Sequence, residues 1–172
     1  MKNTKRIAFS GVAAALSVVI MYIAGITDIL SLSGVLVAAF MILFIYIEYG
    51  TKTALSVYAA VSVISVLILP DKFSAAVYVL FAGYYPIIKT KLERKPKLIA
   101  WTLKLVCFNA VLIAMTVASR YIAYVEAELP IIEAAVFVLA NLVFVMSDIL
   151  AGRLIVLYII KYRPRLYKRG LL

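Results

Sequence analysis

Six long apolar runs alternate with short polar gaps along the 172 residues, at about 7–24, 29–47, 54–69, 73–88, 98–118 and 130–160. A helix that crosses the hydrocarbon core needs ~20 mainly apolar residues, so each run predicts one membrane-spanning helix. The third and fourth runs are short, and a re-entrant pair is the alternative for them. The sixth is longer than a bilayer requires, which implies tilt or protrusion. The expected fold class is an all-α membrane protein: residues 1–172 form a single integral domain with six transmembrane helices.

The gaps carry stop and start signals. Gly25 and Asp28 separate the first two runs. "EYGTK" at 48–52 places Gly50 as a helix stop beside Lys52. "LPDKF" at 69–73 sets Pro70 and Asp71 before a new helix, which is turn and N-cap chemistry. In "VYVLFAGYYPII", Pro86 lacks a backbone N–H, and a kink beside Gly83 is expected. "VEAELP" at 125–130 ends the fifth run, and Pro130 opens the sixth.

Composition fixes the solvent. The chain is 66% hydrophobic with a mean hydropathy of +1.10, whereas a soluble domain is nearer half apolar. Too few polar residues remain to cover a water-facing surface. The basic start Met1–Arg6 followed by an apolar run resembles a signal peptide. That run is long for such a segment and no small-x-small cleavage site follows, so it is read as the first span.

Charge sets the orientation. The formal charge is +10, but the cations lie in the gaps between apolar runs, which argues against nucleic-acid binding. With alternating sides, one face receives Lys2, Lys5, Arg6, Lys52, Lys89, Lys91, Arg94, Lys95, Lys97, Lys161, Arg163, Arg165, Lys168 and Arg169. The other receives Asp28, Asp71, Lys72, Glu126 and Glu128, with Arg120 and Glu133 close by. Cytoplasmic loops are the basic ones, so a cell-membrane location with both termini cytoplasmic is expected.

Candidate chemistry is sparse. The chain has no histidine and a single cysteine, Cys107, expected to be a packing residue. Neither a metal nor a cofactor is expected. "GVAAALS" lacks the lysine and glycine spacing of a phosphate loop, so any ATPase must be another chain. Glu126, Glu128 and Glu133 are clustered carboxylates, a pattern that is ordinarily just solvated, and no enzyme activity is expected.

The first run, "RIAFSGVAAALSVV", holds the small-xxx-small pairs Gly11/Ala15, Ser10/Ala14 and Ala13/Ser17. Such spacing lets a second helix approach closely, either within this chain or from a partner. On the fifth and sixth runs, Asn109 and Asn141 fall near mid-membrane at ~1.5 Å per residue, and Asp148 lies deeper. An ionised Asp in the bilayer costs about 2.5–3.5 kcal/mol. It should find a cation, Lys104 first and Arg153 second, and form a structural ion pair between the last two helices. Tyr22, Tyr46, Tyr49, Tyr121, Tyr124, Tyr158 and Tyr162 fit an interfacial belt. Tyr78 and Tyr84 with Asn109 and Asn141, and Arg120 and Tyr121 at the outer end, are the candidate lining for a small aromatic or heterocyclic solute. A purely structural role for these residues stays open.

The basic start "MKNTKR" running into "IAFSGVAAALSVV", the overall length and the basic end "KYRPRLYKR" give the whole chain an architecture similar to the S component of energy-coupling factor transporters. The resemblance implies six spans, a membrane-embedded subunit that binds a vitamin or related micronutrient near the outer surface, and docking on a coupling subunit driven by paired ATPases. Gly11, Ala14 and Ala15 would be the docking positions. No residues match a particular vitamin's signature. The alternative is a non-transport membrane protein, an assembly or partner-binding factor, whose intramembrane polar residues are structural.

Overall fold

The structure, a computed structural model, describes residues 2–27, 30–121 and 130–164, with side chains from residue 4 onward. Asp28, Tyr124, Glu126, Glu128 and the terminal cations Arg165, Lys168 and Arg169 lie outside the described residues. Every regular element among the described residues is helical: α1 (Lys2–Ile26), α2 (Ser31–Ile68), α3 (Lys72–Val77), α4 (Tyr85–Leu92), α5 (Lys97–Tyr121) and α6 (Pro130–Leu157). Two π turns, Tyr78–Ala82 and Tyr158–Tyr162, follow α3 and α6.

Among the described residues, four helices are long and apolar enough to cross a membrane: Thr4–Ile26, Ser31–Ile68, Lys97–Tyr121 and Pro130–Tyr162. Six were expected, and the difference has two local causes. The runs at 29–47 and 54–69 fall in one element, α2. The run at 73–88 is divided among α3, a π turn and α4.

Within α2 the backbone is not helical throughout. Gly50 sits at φ 79°, ψ −177°, a region that costs residues with a Cβ. The chain reverses there. A Cβ built on Gly34 would lie 2.5 Å from Ala24 Cβ, and one on Gly25 would lie 3.6 Å from both Pro70 and Asp71. Positions 34 and 70 therefore both meet the C-terminal end of α1. An unbroken helix of 38 residues would hold its ends about 57 Å apart. The Phe9 ring, near the other end of α1, meets Tyr49 at a centroid distance of 5.9 Å. The first half of α2 thus runs antiparallel to α1 and the second half returns alongside it.

The chain forms two compact units, Met1–Lys91 and Leu92–Lys168. The first has a continuous core. Ala13, Ser17, Met21 and Ala24 form the buried stripe of α1. They face Gly34, Val35, Ala38, Ala39, Ile42 and Ile45 from one half of α2 and Ala54, Val57 and Val61 from the other. Small residues dominate this contact because lipid tails are as apolar as any side chain. Association of helices in lipid comes from close van der Waals packing. Asp71 caps α3, accepting a hydrogen bond from the Phe73 amide at 2.9 Å.

The second unit is built differently. On α5 only Ala100 and Lys104 are buried, and on α6 only Phe144, Asp148 and Ala151. Cys107, expected to pack, is exposed. Lipid tails are as apolar as a packed core, so a bilayer would give a small thiol no drive to be buried.

Candidate functional site

The outward side of α1 is the first candidate. Gly11 and Ala15 are exposed, and Ala14 is half-buried against the first unit's core. A Cβ added to Gly11 would meet nothing within 4 Å. The three small-xxx-small pairs therefore divide. Ala13/Ser17 is spent on internal packing, Gly11/Ala15 faces away from the core, and Ser10/Ala14 lies on the boundary.

Tyr78 and Tyr84 belong to an aromatic cluster of the first unit whose centre is Tyr58. Tyr58 lies 6.1 Å from Tyr78 and 6.0 Å from Tyr84 between ring centroids. Phe81 stacks on Tyr85 at 4.7 Å. Pro86 leaves the backbone before it one donor short, and the chain widens into the π turn Tyr78–Ala82. The Gly83 amide donates to the Tyr78 carbonyl at 2.8 Å rather than to Val79. The Tyr58 hydroxyl donates to the Val79 carbonyl at 2.7 Å. Gly83 is required for close approach: its Cβ would fall 2.5 Å and 2.7 Å from two ring carbons of Tyr58. Tyr78 is fully buried, and its hydroxyl has no hydrogen-bond partner among the described residues.

In the second unit, three polar clasps join α5 to α6. The Lys104 ammonium lies 2.8 Å from Asp148 Oδ2, with both side chains 3% exposed. It also reaches Glu93 Oε1 at 3.0 Å, and it sits 5.1 Å from the centroid of the Trp101 ring. Arg153, the other cation considered for Asp148, is exposed on α6. One turn along, Phe108 stacks on Phe144 at 4.4 Å with planes 5° apart. Asn109 and Asn141 then bond reciprocally, each amide nitrogen donating to the other's Oδ1 at 2.9 Å. Each also donates to a carbonyl of its own helix, Leu105 for Asn109 and Phe137 for Asn141. At the far end Arg120 pairs with Glu133. As the α5 partner advances from 104 to 120, the α6 partner retreats from 148 to 133, which is the register of an antiparallel pair.

The six residues considered for solute binding are thus divided between the units. Tyr78 and Tyr84 lie in the first. Asn109, Asn141, Arg120 and Tyr121 lie in the second, where Tyr121 is 77% exposed. The amide donors of both asparagines are used within the helix pair. Tyr58 and Glu93 were not singled out from the sequence. A signal existed for Tyr58: it lies as far before the Pro70 turn as Ala82 lies after it, so a helical hairpin brings it to the Ala82–Gly83 step. Comparison with protein-family models, curated proteins and solved structures found no match to this chain.

Proposed function

We propose that the chain is a six-span cell-membrane protein with cytoplasmic termini. In this reading it is the solute-binding subunit of an importer of the energy-coupling factor type, docking through α1 on a separate coupling subunit. The six-span reading is supported by the reversal at Gly50 and by the nearly continuous helical run from Lys72 to Leu92. It is also supported by the sorting of charge among the connections. The observation that carries the docking role is the open face at Gly11 and Ala15, opposite a face of α1 already committed to the core. The captured molecule would be a small micronutrient-like solute, and paired ATPases would supply the energy. A second reading, a partner-binding membrane protein that transports nothing, is favoured by the Asn109–Asn141 pair, whose amide donors are all used internally.

The test is purification of the tagged chain from its native membrane in mild detergent. Co-purification of a coupling subunit and two ATPases is expected, with loss of that complex on Gly11→Leu and Ala15→Leu. A complex unaffected by both substitutions removes the docking role. Native mass spectrometry of the same sample separates the two readings, because a retained water-soluble solute, distinct in mass from any phospholipid, is expected only for the transporter.

A further inference from the structure

A groove of about 480 Å³ lies in the first unit, between the start of α1 and the part of α2 that follows Gly50. Its walls divide by chemistry. Arg6 and Lys52 stand at the end nearest the Gly50 turn, with Ser10 and Thr53 beside them. Ile7, Gly11, Ala14, Val57 and Ala60 line the mainly apolar remainder, and the hydroxyl of Ser56, which also lines it, donates to the Lys52 carbonyl. Neither cation forms an ion pair among the described residues, whereas Lys104 and Arg120 of the second unit both do. The Ser10 hydroxyl is buried and lacks a hydrogen-bond partner among the described residues.

From this pairing of unneutralised charge with an apolar trough we infer that the groove is a binding site for an anionic phospholipid. The phosphate would lie between Arg6 and Lys52 and accept a hydrogen bond from Ser10, and an acyl chain would lie over Gly11 and Val57. A free phosphate would use the cations and leave the trough empty. A neutral lipid would use the trough and leave two cations unmatched. Only an anionic lipid satisfies both parts. Basic pockets between helices at the cytoplasmic surface recognise lipid headgroups by this combination of charge and depth. The inference rests on the membrane reading and not on transport.

The test uses the purified full-length chain in neutral detergent, titrated in native mass spectrometry with phosphatidylglycerol. Phosphatidylcholine of the same acyl chains and glycerol phosphate form the comparison arms. Preferential retention of phosphatidylglycerol is expected. Arg6→Gln and Lys52→Gln should each weaken it about fivefold, and together about twenty-five-fold. Gly11→Leu should weaken it as well, since the added side chain enters open groove rather than core. Lys97→Gln, an exposed cation elsewhere, serves as control and should change nothing. Equal retention of the two lipids would overturn the proposal, as would glycerol phosphate binding as tightly as the lipid. An effect of Lys97→Gln equal to that of Lys52→Gln would overturn it too. Because the chain is assayed alone, these outcomes are independent of whether a coupling subunit docks on α1.

Discussion

Met1–Lys91 brings backbone close to backbone, with Gly34 so near Ala24 that a single added carbon has no room. In Leu92–Lys168, α5 and α6 bury almost no apolar side chains and meet through ions and amides. Both arrangements follow from one property of the bilayer. Removing apolar surface from lipid yields no hydrophobic gain, so helices need close contact or hydrogen bonds that lipid cannot replace. Glycine, alanine and serine supply the first. Lys104, Asp148 and the two asparagines supply the second. The two asparagines and the Lys104–Asp148 pair of the fifth and sixth runs therefore have a structural reason to be there.

The contrast is broken most severely by separating charges. Asp148→Ala leaves the buried Lys104 ammonium with only Glu93, and a loss of about 3 kcal/mol is expected in detergent unfolding. Combining Lys104→Met with Asp148→Leu should restore most of that loss, because neither charge is then stranded. The corresponding injury to the first unit is Gly34→Ala, which places a methyl 2.5 Å from Ala24 Cβ. Its expected cost is about 2 kcal/mol, and Ala24→Gly in the same chain should relieve it.

Smaller effects sharpen the comparison. Asn109→Ala should cost about 1 kcal/mol. Asn109→Ala with Asn141→Ala should cost no more than either alone, since the first substitution already removes both shared bonds and the second has no further interhelical bond to break. The smallest effect belongs to a group between helices. Partial burial raises the Asp71 carboxyl, but hydrogen bonds from Ser74, the Phe73 amide and Ser31 outweigh it and hold the group below its ordinary value. Asp71→Ala should cost about 1 kcal/mol near neutral pH. A carboxyl that ionises more readily when folded stabilises only while ionised. The difference between wild type and variant should therefore shrink as pH falls below the ordinary carboxylate range and through the lowered value.

The parts legible in the sequence were those fixed by one residue or one spacing. Pro130 opens α6, Asp71 caps α3, and Gly50 takes the backbone angle that ends a helix. The α5–α6 register was also within reach, because an intramembrane Asp must meet a cation and Lys104 lies at a matching depth. The parts not legible depend on a neighbouring helix. The expected kink beside Gly83 takes the form of a π turn, whose Val79 carbonyl is served by Tyr58, 21 residues away. Glu93 stands among the cations of residues 89–97, and nothing in that stretch signals that it turns back to Lys104. The small residues of α1 gave the packing chemistry but not the side each would face. That depended on where α2 lay.

Lipid around these helices and the reversal of the chain at Gly50 are the two features on which every role assigned to the residues depends. Single cysteines placed at Lys52, Lys72 and Lys95 in a Cys107→Ser background, labelled with a membrane-impermeant maleimide, test this most directly. The prediction is labelling of position 72 in intact cells, and of 52 and 95 only after the membrane is opened. Labelling of 52 or 95 from outside, or of all three alike, would contradict it.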